Sequence, residues 1–247
     1  HAPMFNLRLA FRTLLKTPFV TAVAALSLAL GIGSNTAIYS IFDQMLRRPL
    51  PVFHPAQLVN LSAPGPKPGS QSCSQAGGCE VVFSYPMLRD LQKAERSPFS
   101  GIAAHVTFGA NVAYADMTTN AQGLLVTGSY FPVLGLAPAL GRLLSPTDDE
   151  TVGGHFVTVL SYSFWETRLG ADRSVLDKPM TINGRQMTII GVAPRDFYGT
   201  TLGNRPSFFV PMTMRHTMGV GTIAGLNNRQ NYWAYLFARL RPGVPMQ

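Results

Sequence analysis

The longest unbroken apolar stretch lies near the start of the chain. Pro18 to Phe42 contains no charged residue, and a helix needs roughly 20 such residues to cross a hydrocarbon core about 30 Å thick. The pattern predicts a membrane-spanning helix over 18–42. Its first half, Phe19 to Ile32, is strongly apolar, while Ser34, Asn35, Thr36 and Ser40 soften the second, as expected where a helix packs on protein as well as lipid. Ala25, Ala29, Gly33 and Ala37 recur every fourth residue and form a small-residue stripe that another helix backbone could approach closely. Ahead of the span, Leu7, Ala10, Phe11, Leu14 and Leu15 share one helical face, and Arg8, Arg12 and Lys16 share another. Residues 1–17 are therefore expected to lie as a basic amphipathic helix at the cytoplasmic interface.

After Arg48 the period changes. Pro49-Leu50-Pro51 closes the helix and Gln57–Ser62 reads as a first strand. Residues 63–79 are rich in Pro, Gly and Ser and read as an exposed loop. Met87–Glu95 has helical spacing, and Ile102 to Val126 reads as a meander of short strands broken by Gly and Asn. Tyr130–Leu134 is a short helix ended by Gly135. Val157–Ser161 is a strand, followed by a helix over Tyr162–Leu169. Asn183-Gly184 joins Met180–Ile182 to Met187–Val192 in the clearest hairpin signal of the chain, since Asn-Gly is the preferred two-residue turn. Ser207–Pro211 and Tyr232–Leu240 complete the strands. The predicted class is α+β: one transmembrane helix, then a mixed, strand-rich extracytoplasmic domain over 43–247, expected in two lobes.

Charge supports the membrane reading. The net charge is +8, with 13% charged residues, a low fraction for a globular chain. Five of the cations (Arg8, Arg12, Lys16, Arg47 and Arg48) fall in the first 48 residues against a single acid, Asp43. Half of the excess thus flanks the apolar stretch, where topology accounts for it better than phosphate does, and the bias favours a cytoplasmic amino terminus. No basic run interleaved with aromatics points to nucleic acid. Rival readings of the apolar stretch are a cleaved signal peptide, a buried soluble helix, and a dinucleotide-binding turn at Gly31-Ile32-Gly33-Ser34-Asn35-Thr36. The last lacks the third glycine and any acid about twenty residues on. The chain starts at His1 and stops soon after Arg241-Pro242-Gly243, so it is read as a fragment of a longer protein.

Candidate chemistry is sparse. The cysteines, Cys73 and Cys79, are two in number and six residues apart; they could close a disulfide in an oxidising compartment or remain two free thiols. The histidines at 1, 54, 105, 155 and 216 have no ligand-like spacing, and Asp148-Asp149-Glu150 reads as a solvated loop or a helix start favoured by negative charge. No catalytic, cofactor-binding or metal-binding set emerges, and the chain is expected not to be an enzyme.

Several ordered segments resemble the MacB/FtsX-like ABC permeases. They begin with Leu30-Gly31-Ile32-Gly33-Ser34-Asn35-Thr36-Ala37-Ile38-Tyr39-Ser40 and Leu46-Arg47-Arg48-Pro49-Leu50-Pro51. Thr127-Gly128-Ser129-Tyr130-Phe131 follows, with Leu134-Gly135 and Gly141-Arg142. Next come Val159-Leu160-Ser161-Tyr162, Phe164-Trp165, Ile182-Asn183-Gly184, Ile190-Gly191-Val192-Ala193-Pro194 and Phe197, and finally Arg239-Leu240-Arg241-Pro242-Gly243-Val244. One departure is Leu176-Asp177-Lys178, where the family usually has a glycine. The resemblance implies an MacB-like periplasmic core domain in the bacterial inner membrane, together with the remaining transmembrane helices of a full permease. It also implies a cytoplasmic ABC ATPase, an extracytoplasmic partner, and a role in ATP-driven export or mechanotransmission. A single-pass anchored scaffold and a soluble nucleotide-binding enzyme are the alternatives from other classes.

Overall fold

The computed structural model describes residues 16, 18–46, 51–73, 78–201 and 203–244, with side chains described only to residue 40 in the first helix. The chain divides into two compact units, one ending at Pro49 and one beginning at Leu50. In the first, α1 spans Pro18–Leu46. Proline suits the first turn of a helix, because its missing N–H would have no partner there. The stretch Pro18–Ser40, 23 residues, is long and apolar enough to cross a membrane. Two hydroxyls of its polar half are satisfied within the helix: Ser34 Oγ donates to the Gly31 carbonyl at 3.2 Å and Thr36 Oγ1 to the Ile32 carbonyl at 2.8 Å. They therefore add little cost in an apolar medium. The basic helix expected over 1–17 lies outside the described residues, Lys16 apart.

The second unit is mixed and strand-rich. Its elements in order are β1 (Leu58–Asn60), β2 (Ser70–Gln71), β3 (Val82–Phe83), α2 (Tyr85–Lys93), β4 (Phe99–Tyr114), β5 (Met117–Val126) and α3 (Tyr130–Leu134). They continue with β6 (Leu140–Gly141), β7 (Val157–Leu160), α4 (Tyr162–Arg168), β8 (Pro179–Ile182), β9 (Arg185–Val192) and β10 (Phe208–Pro211). The last are α5 (Ile223–Asn227), β11 (Asn231–Tyr232) and β12 (Ala234–Leu240). Ten strands form one sheet in the order β1-β12-β4-β5-β10-β7-β9-β6, with β3 also on β12 and β8 also on β4 and β9. The pairs β10–β5 and β7–β9 are parallel and the other neighbours antiparallel.

Side chains alternate across a strand, and here both faces are buried. On β4, Ala104, Val106, Phe108, Ala110 and Val112 join the larger core; on β12, Ala234, Leu236 and Ala238 do the same. Their alternate neighbours Ala103, Leu124, Val126, Phe209 and Phe237 join a second core with Tyr130, Phe131 and Leu134 of α3. The core of the unit thus has two main clusters on opposite faces of one sheet, with a third, smaller one at Val82, Tyr232 and Tyr235.

Two local outcomes differ from the sequence reading. The meander expected over 102–126 is a single long hairpin, β4–β5, in register from His105↔Val126 to Tyr114↔Met117. Its turn is Ala115-Asp116, with Ala115 at φ 48°. Gly123 is no breaker: a Cβ there would meet the Phe208 and Phe108 rings at 2.5–2.7 Å, so the glycine makes room for packing within the strand. The second difference is the acidic triplet. Pro146–Asp149 forms a 3-10 turn headed by Ser145, as a helix start requires, but Asp148 and Asp149 are buried rather than solvated.

Candidate functional site

A cleft of about 380 Å³ opens in the second unit, within the size range of small-ligand sites. Five segments line it: the second half of α2, the chain that follows it into β4, the Thr127-Gly128-Ser129 turn, the Pro146–Asp149 turn, and Arg241 just past β12. Helix α2 is set by Ser84, whose side chain accepts from Met87 N, and buries Tyr85 and Leu88. That leaves Arg89 and Gln92 for the cleft. Gln92 Nε2 donates to the Ile102 carbonyl at 3.1 Å and contacts Ser129 Oγ at 3.4 Å; Ser129 Oγ donates to the same carbonyl at 2.7 Å. Thr127 Oγ1 accepts from Ala104 N at 3.0 Å. The cleft wall is therefore tied to β4 by side chains whose polar atoms are largely in use.

Asp149 closes the base. Its carboxylate accepts from Gly128 N at 3.2 Å and from Thr213 N at 2.8 Å. Burial disfavours its charge and pushes its pKa up, against the pull of those hydrogen bonds and of the Arg89 charge. Next to it, Asp148 behaves in the opposite sense. Burial alone would raise it, but a paired contact from Arg142 (2.7 and 2.8 Å) and bonds from Ser145 outweigh burial and hold it at about 2. Two adjacent carboxylates thus have different tasks, one pinning a turn to Arg142 and one holding two backbone N–H groups beneath the cleft.

The cysteines, the small-residue stripe and the basic face singled out from sequence lie elsewhere. The Cα atoms of Cys73 and Cys79 are 5.1 Å apart, within disulfide reach. Lys67 Nζ braces that loop, donating to the carbonyls of Cys79, Glu80 and Val82 at 2.8–2.9 Å. Ala25, Ala29, Gly33 and Ala37 are exposed along α1, and a Cβ added at Gly31 or Gly33 meets nothing within 4 Å. Of the basic face, Lys16 is exposed, while Arg8 and Arg12 fall outside the described residues. Among the described residues no three His, Cys, Asp or Glu side chains gather as metal ligands. His105 is buried between Tyr130, Tyr235 and Phe237.

The segments that carry the family resemblance have structural work. Tyr130 and Phe131 anchor an aromatic cluster with Phe197, Phe209 and Phe237, ring centroids 5.2–6.3 Å apart. Gly135 ends α3 at φ 67°. Gly141, at φ 65°, lies so close to the Ile190 carbonyl that no side chain fits, and the following Arg142 is the partner of Asp148. The sequence reading missed the cleft because its polar residues, taken singly, are ordinary; Thr127-Gly128-Ser129 and Arg241 stood in the resemblance segments, and Gly141-Arg142 with the acidic triplet six residues on pointed to its supporting turn.

The model of the MacB-like periplasmic core domain matches residues 21–247. The chain resembles the periplasmic region of MacB from Actinobacillus actinomycetemcomitans, with TM-score 0.54 and 16% identity over 69% of this chain and 74% of that one. It also resembles the extracellular domain of the noncanonic ABC-type transporter YknZ from Gram-positive bacteria, with TM-score 0.51 and 16% identity over 75% of this chain and 84% of that one. At that identity these likenesses speak for the fold. No curated protein matches the chain. With the family model covering nearly the whole sequence, the chain belongs to the MacB-like periplasmic core domain family and is homologous to the periplasmic domains of MacB-like ABC transporter permeases.

Proposed function

We propose that the chain is the amino-terminal part of an ABC-type permease subunit of the bacterial inner membrane. In this reading 1–17 lies at the cytoplasmic face, 18–42 spans the bilayer, and 43–247 is extracytoplasmic. There it contacts a partner or substrate and moves with the transmembrane helices as a cytoplasmic ABC ATPase hydrolyses ATP, in export or mechanotransmission. Catalysis of that hydrolysis belongs to the ATPase, not to this chain.

The observation that carries the reading is the family match over 21–247, which takes in both the apolar helix and the strand-rich unit. Three cations (Arg8, Arg12 and Lys16) precede the uncharged run and two (Arg47 and Arg48) follow it, a small excess on the side this reading places in the cytoplasm. In the first unit, the open small-residue stripe of α1 is the surface we assign to the remaining transmembrane helices.

Topology is the test. The chain is expressed in a Gram-negative host and the intact cells are treated with a membrane-impermeant maleimide, with and without prior reduction. Labelling of membrane-bound protein only after reduction is expected, because Cys73 and Cys79 would be bonded and outside the cytoplasm. A soluble product labelled only after lysis would refute the anchored, extracytoplasmic reading.

A further inference from the structure

The cleft exposes a combination of groups that the permease role leaves unexplained. Two guanidinium groups line it from separate elements, Arg89 on α2 and Arg241 beyond β12, and both residues are exposed. Among the described residues neither forms an ion pair, although the Arg89 charge acts on the Asp149 carboxylate at the base of the cleft. Arg89 Nη1 has only a 3.4 Å contact with Gln92 Oε1, and Arg241 Nε donates to the Phe99 carbonyl at 3.2 Å. The carboxylate next to Arg89 in sequence, Asp90, is taken by Arg229 at 2.6 Å. The one acid lining the cleft, Asp149, is buried and already accepts two backbone N–H groups. Around the guanidinium groups the wall is mixed: half-buried Leu91 and Phe99 and exposed Ala94 and Pro146 supply apolar area beside the polar side chains of Gln92, Ser97, Ser100 and Ser129.

Guanidinium is permanently charged and presents a fork of donors that matches a carboxylate. Placed beside the apolar patch of Leu91, Ala94, Phe99 and Pro146, it recognises an anion that carries an apolar body, with the patch supplying contact area and the cations fixing orientation. We propose that this cleft binds an organic carboxylate with an apolar body, either a small organic acid or the free carboxyl end of a peptide with an apolar last residue. A neutral ligand would leave both guanidinium groups unused, and a cationic one would be repelled. The proposal narrows the reading of the unit as one that contacts partner or substrate, and rests on it; binding and membrane topology are measured separately, so either can fail alone.

The test uses the full chain in phosphatidylcholine nanodiscs, with binding followed by saturation-transfer NMR. The probes are 3-phenylpropionate, acetyl-Ala-Ala-Phe with a free carboxyl end, and the neutral amide of each. A carboxylate is expected to bind about tenfold more tightly than its amide. R89Q and R241Q should each shrink that ratio, and together abolish it, while K93Q, which removes an equal charge from α2 away from the cleft, should leave it unchanged. A peptide that outbinds 3-phenylpropionate marks a chain end as the ligand; equal binding marks a small acid. No carboxylate binding up to about 10 mM, equal binding of acid and amide, or a ratio that survives in the double variant would overturn the proposal. Loss of the ratio in K93Q would do the same, since it would reduce the effect to unspecific charge. Both arginines are exposed, so the variants are expected to fold, and unchanged Trp165 and Trp233 emission checks it.

Discussion

Protonation of one buried histidine is expected to set the acid sensitivity of the strand-rich unit. His105 sits on β4, 8% exposed, against the rings of Tyr235 at 5.8 Å, Phe237 at 6.1 Å and Tyr130 at 6.2 Å. Its Nδ1 has no hydrogen-bond partner. An imidazolium there would have no solvent and no carboxylate to stabilise it, and burial lowers the pKa from 6.5 to about 4. An unfolded chain takes up this proton as pH drops through about 6.5, whereas the folded chain resists until about 4. Stability is therefore lost across that window and levels off below it. A gap of that size, at about 1.4 kcal/mol per pH unit, comes to about 3 kcal/mol, a large share of the stability of an ordinary domain.

The assay is urea unfolding of the chain in detergent micelles, followed by tryptophan emission, between about pH 7 and about pH 4. Trp165 and Trp233, the two tryptophans of the chain, are both buried in this unit. In His105→Phe the residue cannot titrate. Overpacking costs it about 1–3 kcal/mol, but that cost does not change with pH. The difference between wild type and variant should therefore shift by about 3 kcal/mol across the window. Other groups do not mimic the effect: Asp148 loses its contribution only as pH falls from 3.8 towards about 2. Asp149, with its raised pKa, has the opposite sign, its burial penalty being relieved as pH falls. If His105→Phe kept the full fall in stability on acidification, the reasoning would be wrong.

Two further perturbations test how the candidate site and the cysteine loop are held. Asp149→Ala strips Gly128 N and Thr213 N of their acceptor and is expected to cost about 2–4 kcal/mol in urea unfolding, with Asp149→Asn cheaper because one acceptor survives; equal costs would mean that solvent reaches those N–H groups. Lys67→Met keeps the apolar stem but removes three bonds to the carbonyls of Cys79, Glu80 and Val82. It should cost about 1–2 kcal/mol and speed hydrogen exchange over residues 78–83, and unaltered exchange would show that Lys67 does not hold the loop.

Local rules read the local elements well. Asn183-Gly184 turns β8 into β9 with φ 47° and 75°, the left-handed pair that a two-residue hairpin demands. Tyr130–Leu134 and its Gly135 terminus came directly from composition and spacing. Reading failed where a residue's usual signal served another end. Gly109, Asn111, Asn120 and Gly123 look like breakers, yet all lie inside the β4–β5 hairpin, and the turn falls on Ala115-Asp116. At 123 the space claimed by Phe208, about 85 residues away, outweighs glycine's entropy cost.

The cleft shows the same limit more sharply. Arg89, Gln92, Ser129, Asp149 and Arg241 meet only because β12 pairs with the first half of β4 while β5 pairs with the second, so no window of sequence contains the site. Asp148 and Asp149 read as solvated because neither the Arg142 fork nor the N–H groups of Gly128 and Thr213 can be seen from an acidic triplet. The departure at Leu176-Asp177-Lys178 fits the opposite rule: Asp177 adopts φ 60°, the left-handed conformation that a glycine takes freely and an aspartate tolerates better than most residues. At that position the glycine signal is gone from the sequence, while the left-handed backbone it would have announced is present.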